Sequence, residues 1–153
     1  MMSPLPRPSP MQRLGLLLAL VLQILALPAL AEERRVALVI GNSSYRNAQP
    51  LPNTLNDARD MTGALRKVGF EVVDGLDLDK RGMDQAVTRF ARLARDADAV
   101  LFYYAGHGLQ FNGENYLVPV EARVEDEVSV QYETTRLNDV ITALGFARGV
   151  KIM

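Results

Sequence analysis

Cysteine and tryptophan are absent from this 153-residue chain, and histidine occurs once, at position 107. Without cysteine the chain can form no disulfide and can supply no thiolate nucleophile. One histidine and no cysteine also make a poor set of zinc ligands. We therefore expect no metal and no cofactor.

A strong excess of either charge is also missing, since 17 Lys and Arg residues face 18 Asp and Glu residues, for a formal net charge of -1. Nucleic-acid binding usually leaves a basic footprint, so we expect no nucleic-acid partner. The chain is 48% hydrophobic and 23% charged, which is typical of a soluble globular domain. Its length suffices for one domain with a core.

The first 31 residues differ in composition from the rest. Arg7 and Arg13 precede the apolar stretch LGLLLALVLQILALPAL, and the segment ends with small residues at Ala29 and Ala31. This order is typical of a secretory signal peptide. The alternative is an uncleaved membrane anchor, although a run of about 17 residues is short for a span of ~20. We expect cleavage after residue 31, export to the periplasm or the medium, and no stable membrane association afterwards.

Apolar runs and amphipathic stripes alternate along residues 32–153. The runs in RVALVIG, FEVVDGLDL and DAVLFYYA predict buried parallel strands, GVKIM predicts another strand, and Asn112-Gly113 predicts a hairpin. The stripes predict three helices, and their residues are Ala58, Met61, Leu65 and Val68; Val87, Phe90, Ala91 and Ala94; and Leu137, Val140, Ile141 and Leu144. This order predicts an α/β fold around a mostly parallel central sheet.

Residues at the predicted helix ends refine this interpretation. Thr54 and Asp57 resemble a capping box for the first helix, which Gly69 would end. Two threonines, Thr134 and Thr135, would cap the third helix. Five acidic residues are interpreted as belonging to a solvated acidic loop, and they are Glu114, Glu121, Glu125, Asp126 and Glu127.

Polar residues follow the first and third predicted strands, as GNSSY at 41–45 and Gly106-His107-Gly108. Open α/β sheets bind ligands beyond the carboxyl ends of their strands. A histidine there can take and return a proton near neutral pH. The alternative is a hydrogen-bonded histidine that closes a turn.

The stretches RVALVIGNSSY, LPNTLNDARDMTGALRKVGFEV and LFYYAGHGLQFNGENYLVPVEA resemble the caspase-like peptidases, the clan of caspases, metacaspases and their bacterial relatives. The resemblance runs from about residue 35 to residue 153. It implies a three-layer α/β/α sandwich and a cysteine endopeptidase that acts on proteins or peptides.

The resemblance also implies roles for three residues. His107 matches the catalytic histidine that partners a cysteine thiolate. Gly108 matches the residue whose backbone N–H helps to bind the oxyanion. Asp57 matches an acidic residue of the S1 pocket that favours Arg or Lys in the substrate. A carboxylate in the first turn of a helix is also stabilised by the helix dipole, so both interpretations of Asp57 stay open.

The nucleophile of that family is missing from the sequence. In the family the cysteine follows the next core strand, about 50 residues after the histidine, which places it near position 157. We therefore expect residues 32–153 to be a caspase-like domain that is incomplete at its C-terminus, and the 153 residues to be inactive alone. The alternative is a catalytically dead caspase-like module that serves binding.

Three weaker patterns point elsewhere. DLDKRG, from Asp77, resembles a calcium loop, but Arg81 and Thr88 occupy its fifth and twelfth positions, where ligands are required. Calcium activation, which occurs in some metacaspase-like relatives, has no support in the sequence. IGNSSY lacks the glycines and lysine of a nucleotide-binding turn, which leaves a small nucleotide-binding protein as a weak alternative. Asn42 begins an N-glycosylation sequon of a kind that arises often by chance.

Overall fold

A computed structural model describes residues 33–153 together with Met11. The predicted signal peptide and its cleavage site therefore lie outside the described residues, apart from Met11. No helix in the described part of the chain has the length and apolar character needed to cross a bilayer.

The central sheet contains four parallel strands. They are β1 (Arg35–Gly41), β2 (Phe70–Leu76), β3 (Ala99–Ala105) and β7 (Val150–Ile152), in the order β2-β1-β3-β7. β1 is paired with β2 and β3 over all seven of its residues, and six of the seven are buried. This burial on both faces explains why β1 is an unbroken apolar run rather than an alternating one.

Helices cover both faces of this sheet. They are α1 (Thr54–Lys67), α2 (Lys80–Ala94), α3 (Glu127–Glu133) and α4 (Leu137–Gly145). On one face, α1 packs against Ala37 and Val39, whereas α2 and α4 pack against Val36, Leu38 and Ile40 on the other. The alternation along β1 follows from the two-residue repeat of a strand. The predicted three-layer α/β/α sandwich with a mostly parallel sheet is confirmed.

A second, antiparallel sheet follows β3. It contains β4 (Gly108–Phe111), β5 (Glu114–Leu117) and β6 (Thr135–Arg136). The turn between β4 and β5 is the predicted Asn112-Gly113 pair, and both residues have positive φ angles, 51° and 79°. Those angles match a two-residue hairpin turn. This small sheet places the backbone of residues 106–108 at the junction of two sheets.

Several predicted helix ends are wrong in detail. Asn53, not Thr54, precedes α1, and it makes no side-chain cap hydrogen bond. The predicted end at Gly69 holds, since that residue has a φ of 84°. Val68 of the predicted apolar stripe is 56% exposed. Thr134 and Thr135 lie in the link between α3 and α4, and Arg136 is the residue that precedes α4.

The acidic segment predicted as a loop contains α3. Asp126 accepts a hydrogen bond from Ser129 N, and Ser129 Oγ accepts one from Asp126 N, which is a reciprocal capping box. The cap begins a short helix that has only one buried residue, Val130. With so small an apolar side, the helix gave no stripe in the sequence.

The last strand, β7, lies at the edge of the central sheet. Its three residues pair with Ala99, Val100 and Leu101 of β3, and all three are exposed. Gly149 precedes it at a close approach of two backbones, since a Cβ at that position would lie 1.9 Å from the carbonyl oxygen of Asp98. Only glycine allows β7 to approach β3 along this path.

Candidate active site

His107 lies at the rim of the central sheet, two residues after β3 ends and directly before β4 begins. It is half-buried. The carboxyl ends of β1, β2 and β3 meet at this rim because the strands are parallel and in register. The histidine therefore occupies the position where α/β sheets usually bind their ligands.

The imidazole of His107 is held by the loop that follows β1. Its Nε2 lies 2.7 Å from the carbonyl oxygen of Gln49. A carbonyl oxygen only accepts, so Nε2 carries a proton, and in the neutral ring Nδ1 is then the free acceptor. The ring of Tyr45 packs beside the imidazole, with centroids 4.5 Å apart and planes tilted by 53°. These contacts fix both the direction and the tautomer of the ring.

Two tyrosine hydroxyls hold the backbone of the same histidine. The backbone N–H of His107 donates to the hydroxyl of Tyr45 at 2.7 Å, and its carbonyl accepts from the hydroxyl of Tyr104, also at 2.7 Å. Val118 N donates to the same carbonyl at 3.0 Å. The two hydroxyl oxygens are 3.4 Å apart. Both backbone polar groups of the histidine are thus satisfied at a point where the chain passes between two sheets.

Both phenols stay protonated at ordinary pH. Burial raises the pKa of Tyr45 above its usual value, although hydrogen bonds to Tyr104 and His107 partly offset this. Burial also raises the pKa of Tyr104, and the neighbouring Tyr45 raises it further. The pair therefore acts as a neutral hydrogen-bonding unit.

Gly106 leaves the space that this pair of hydroxyls occupies. A Cβ at Gly106 would lie 2.5 Å from the hydroxyl oxygen of Tyr104 and 2.7 Å from that of Tyr45. Real Cβ atoms essentially never show such separations, so any side chain there would displace the tyrosines. The glycine of the GHG stretch is explained by the tyrosines as well as by the turn.

The loop that carries Gln49 is anchored at both ends. Asn42, which is fully buried, donates from Nδ2 to Val118 O at 3.1 Å and accepts from Leu78 N at 2.9 Å. Its own carbonyl accepts from Thr54 Oγ1 at 2.8 Å. That bond ties the start of α1 to the end of β1. Because the amide of Asn42 is buried and hydrogen-bonded, a glycan on its Nδ2 would not fit this packing.

Asp77 holds the first part of this loop from β2. Its carboxylate accepts hydrogen bonds from Ser43 N at 2.7 Å, Ser44 N at 2.9 Å and Ser44 Oγ at 2.7 Å. Partial burial acts to raise the pKa of Asp77, but these hydrogen bonds from the two serines outweigh it and lower the pKa below its usual value. Asp77 is thus a loop anchor at the sheet rim.

Gly108 follows His107 as the first residue of β4 and is exposed. A Cβ there would lie 3.3 Å from the carbonyl oxygen of Tyr116, a tight but less severe contact than at Gly106. A cavity of about 330 Å³ opens beside both glycines, and Tyr104 and the β4–β5 hairpin form the rest of its lining. The backbone next to the histidine is accordingly accessible.

Asp57 lies in the first turn of α1 and is exposed. Within residues 33–153 its carboxylate makes no hydrogen bond or ion pair, and its backbone N–H donates to Asn53 O at 3.0 Å. The structure brings His107 and Gly108 together as chain neighbours, but it gives no contact between either of them and Asp57. They share the same rim, since α1 begins where the loop holding His107 ends.

Other surfaces of the described chain hold none of the predicted site residues. A depression of about 810 Å³ runs along the outer side of α2, and its lining includes Arg81, Arg89 and Arg92. Among residues 33–153 there is no cluster of three or more His, Cys, Asp or Glu side chains placed to hold a metal ion.

Four residues of the site were missed by the sequence analysis. Gln49 acts through its backbone carbonyl, which every residue carries, so its identity gave no signal. Tyr104 was predicted only as part of the strand DAVLFYYA, and Tyr45 only as part of the polar stretch GNSSY. Asp77 was considered only as part of a calcium loop. Its φ of 50°, which is unusual for a residue other than glycine, cannot be read from sequence.

Comparison with known proteins agrees with this geometry. A family model for the caspase domain, of the peptidase C14 type, matches residues 34–145. The mucosa-associated lymphoid tissue lymphoma translocation protein 1 of Homo sapiens is 42% identical over 88 residues, or 58% of this chain, and the homolog from Mus musculus has the same identity and coverage. The matched segment spans 11% of each of these relatives. The chain belongs to the caspase-domain family.

Proposed function

We propose that residues 32–153 carry the histidine half of a cysteine endopeptidase site, with a cysteine thiolate as its partner. The observation that supports this most is the contact between His107 Nε2 and the carbonyl oxygen of Gln49 at 2.7 Å. Because that contact occupies Nε2, the free Nδ1 is the atom that can exchange a proton with a thiol. A histidine that merely closed a turn would not require this separation of roles between its two nitrogens.

The proposed reaction is acyl transfer followed by hydrolysis. Nδ1 of His107 takes the thiol proton, and the thiolate attacks the carbonyl carbon of the scissile peptide bond. The N–H of Gly108 donates to the oxyanion of the tetrahedral intermediate. The imidazolium then gives its proton to the leaving amine, and the acyl-thioester remains. Water, deprotonated by the same nitrogen, hydrolyses the thioester and restores the thiol. These steps balance without a metal or cofactor.

The thiol has to come from outside the 153 residues, which contain no cysteine. The register of β7 against β3 pairs Ala99 with Val150, so each β3 residue faces the residue 51 positions later. A strand continued in that register would bring about position 158 level with His107. We place the nucleophile within one or two residues of that position.

Asp57 is proposed to select the substrate side chain. It begins α1 at the same rim, it is exposed, and it has no partner among the described residues. A free carboxylate can bind the guanidinium of Arg or the ammonium of Lys through charge-assisted hydrogen bonds. The enzyme would then cleave after basic residues.

The leader at residues 1–31 supports an exported enzyme that acts in the periplasm or the medium on protein or peptide substrates. Fractionation of cells that produce the protein, with N-terminal sequencing, tests this part separately. We expect the mature N-terminus at Glu32 in the exported fraction. An intact N-terminus in the membrane fraction would contradict it.

The activity test begins with the reading frame beyond codon 153, where we expect a cysteine codon near position 158. The product of the whole frame is then assayed with fluorogenic peptides that end in Arg, Lys or Leu before the reporter group. Cleavage after Arg and Lys is expected, and the 153-residue chain should give none. His107→Ala should lower kcat by at least about 10³-fold, because the imidazole is the group proposed to move the proton.

Two matched variants complete this test. Asp57→Asn should raise KM for the Arg peptide with little change in kcat, whereas Asp60→Asn, on the same helix, should change neither. Equal effects of the two variants would remove Asp57 from the proposal. Absence of a cysteine near position 158 would overturn the peptidase assignment and favour a binding module. Cleavage by the 153-residue chain that His107→Ala abolishes would contradict the requirement for a thiol.

A further inference from the structure

The hydroxyls of Tyr45 and Tyr104 form a closed arrangement with the backbone of His107. The backbone N–H of His107 donates to Tyr45, and the hydroxyl of Tyr104 donates to the carbonyl of His107. The hydroxyl of Tyr104 also has the carbonyl of Val118 as an acceptor at 3.2 Å. Because its single proton serves these two carbonyls, Tyr45 is the donor between the two hydroxyls, across 3.4 Å. The path therefore runs from the histidine N–H through both tyrosines and returns to the histidine carbonyl.

Strand pairing holds the chain at this point only through the carbonyl of His107, which accepts from Val118 N at 3.0 Å. β3 ends at Ala105 and β4 begins at Gly108, so Gly106 and His107 lie between two different sheets. Strand pairing alone does not satisfy the N–H of His107, and a buried unpaired N–H is costly. Two aromatic side chains perform the function that a neighbouring strand performs elsewhere.

Burial makes the arrangement rigid. Tyr45 is 7% exposed, and its neighbour Arg46 donates its N–H to Val120 O at 2.8 Å. Tyr104 packs with the cluster on the α2 and α4 side of the sheet, and its ring stacks on Phe102 at 6.5 Å. The two rings therefore reach His107 from different elements of the fold. Displacement of the Tyr45 hydroxyl would leave the N–H of His107 without its acceptor, whereas displacement of the Tyr104 hydroxyl would leave the carbonyl with Val118 N as its donor.

We propose that Tyr45 and Tyr104 are positioning residues for His107. The two tyrosine hydroxyls form a closed set of hydrogen bonds with the backbone of His107, and they thereby direct its imidazole toward Gln49 and the incoming thiol. The effect of this positioning on catalysis depends on the proposed function, whereas the positioning itself does not. The geometric part stands on the 153-residue chain and can be measured there. Gly106 contributes to the same arrangement, because its lack of a side chain leaves room for both tyrosine hydroxyls.

The test uses the tag-free, ¹⁵N-labelled 153-residue chain, in which one histidine gives one pair of ring-nitrogen signals. In the unchanged protein we expect a protonated Nε2 and a bare Nδ1 above neutral pH. Tyr45→Phe keeps the ring but removes the hydroxyl that accepts from His107 N–H. We expect exchange of that amide to rise on the order of tenfold, and the ring-nitrogen signals to move toward a mixture of tautomers.

Tyr116→Phe is the matched control. Tyr116 is 4% exposed, and its hydroxyl has only a contact of 3.5 Å to Glu114 in the described residues. Loss of this hydroxyl should leave the signals of His107 unchanged. The proposal is wrong if Tyr45→Phe leaves both the amide exchange and the ring signals as they were, or if Tyr116→Phe moves them equally.

Two further variants keep the test decisive if Tyr45→Phe does not fold. Tyr104→Phe removes one of the two donors to the carbonyl of His107, and Gly106→Ala pushes the hydroxyls apart. Each variant should shift the ring-nitrogen signals of His107. Tyr103→Phe, which alters the residue before Tyr104 on β3, is the control and should leave them unchanged. Unmoved signals in Tyr104→Phe and Gly106→Ala would equally overturn the proposal.

Activity measurements separate this proposal from the peptidase assignment. In the product of the whole reading frame, Tyr45→Phe should lower kcat about tenfold with KM unchanged, because the base is misaligned but the substrate still binds. If the spectra move as expected while no product of the frame cleaves peptides, the positioning role stands and the peptidase assignment fails. A fall in kcat for Tyr45→Phe without any change in the ring-nitrogen spectra would contradict the positioning role.

Discussion

The strands on the two sides of β3 are held very differently. β1 is paired along its whole length on both sides and is buried, whereas β7 is paired on one side over three residues and is exposed. The loop after β1 is then fixed by Asn42, Thr54 and Asp77, and it fixes the imidazole in turn. The histidine side of the rim is thus ordered by the described residues alone, without any contribution from β7.

The region around β7 has the opposite character. An apolar groove of about 340 Å³ lies between β7 and α4, and its lining includes Ile141, Leu144 and Ile152. Val150 and Ile152 are 61% and 45% exposed. We therefore expect changes on the β1 side of β3 and changes on its β7 side to have separate effects.

The largest effect is expected for a core residue of β1 against an edge residue of β7. Leu38→Ala removes a fully buried side chain and should lower the free energy of unfolding by about 3–5 kcal/mol. Ile152→Ala should cost less than about 1 kcal/mol because the side chain is half exposed. Urea unfolding followed by circular dichroism measures both. Similar midpoint shifts would contradict the comparison.

A smaller effect is expected where β1 meets its loop. Asn42→Ala leaves the N–H of Leu78 without its acceptor and removes one of the two donors to the carbonyl of Val118, which should cost about 2–3 kcal/mol. It should also shift the ring-nitrogen signals of His107, since the loop carries Gln49. Asn138→Ala, at an exposed position of α4, is the control. A stable Asn42→Ala variant with unmoved signals would show that the loop is held without Asn42.

The smallest effect concerns pH. The pKa of Asp77 is lowered in the folded state, so its contribution to stability is present above the unfolded pKa of ~3.9 and is lost as the pH falls through the lower folded value. After solvent screening this amounts to less than about 1 kcal/mol. Asp77→Asn, which tolerates the same positive φ, should remove this part of the acid sensitivity. Unfolding midpoints at pH 7 and pH 3 give the comparison, and an equal loss in both proteins would contradict it.

The layers of the fold could be predicted from the sequence because β1 and β3 are long apolar runs and α1 and α2 have apolar stripes. The caps could not, because a threonine hydroxyl has several acceptors within reach. Thr54 donates to Asn42 O and Leu51 O instead of capping α1. The choice depends on a loop whose path is fixed by residues far along the chain.

The site was predictable to the same limited degree. The histidine stands out between two glycines, and Gly108 follows from it. The residues that orient the histidine act through a backbone carbonyl and through phenols on separate elements, Tyr45 after β1 and Tyr104 in β3. Such contacts arise only when the sheet brings residues 62 and 58 positions apart together.

The pairing of the edge strand β7 is sensitive to substitution of Gly149, which lies far from the rim. Because the carbonyl of Asp98 occupies the space of a side chain at this position, even a single added methyl group would tilt β7 off its neighbour. A protein altered only there would retain every group around the imidazole and still lose the pairing of Val150, Lys151 and Ile152 with β3.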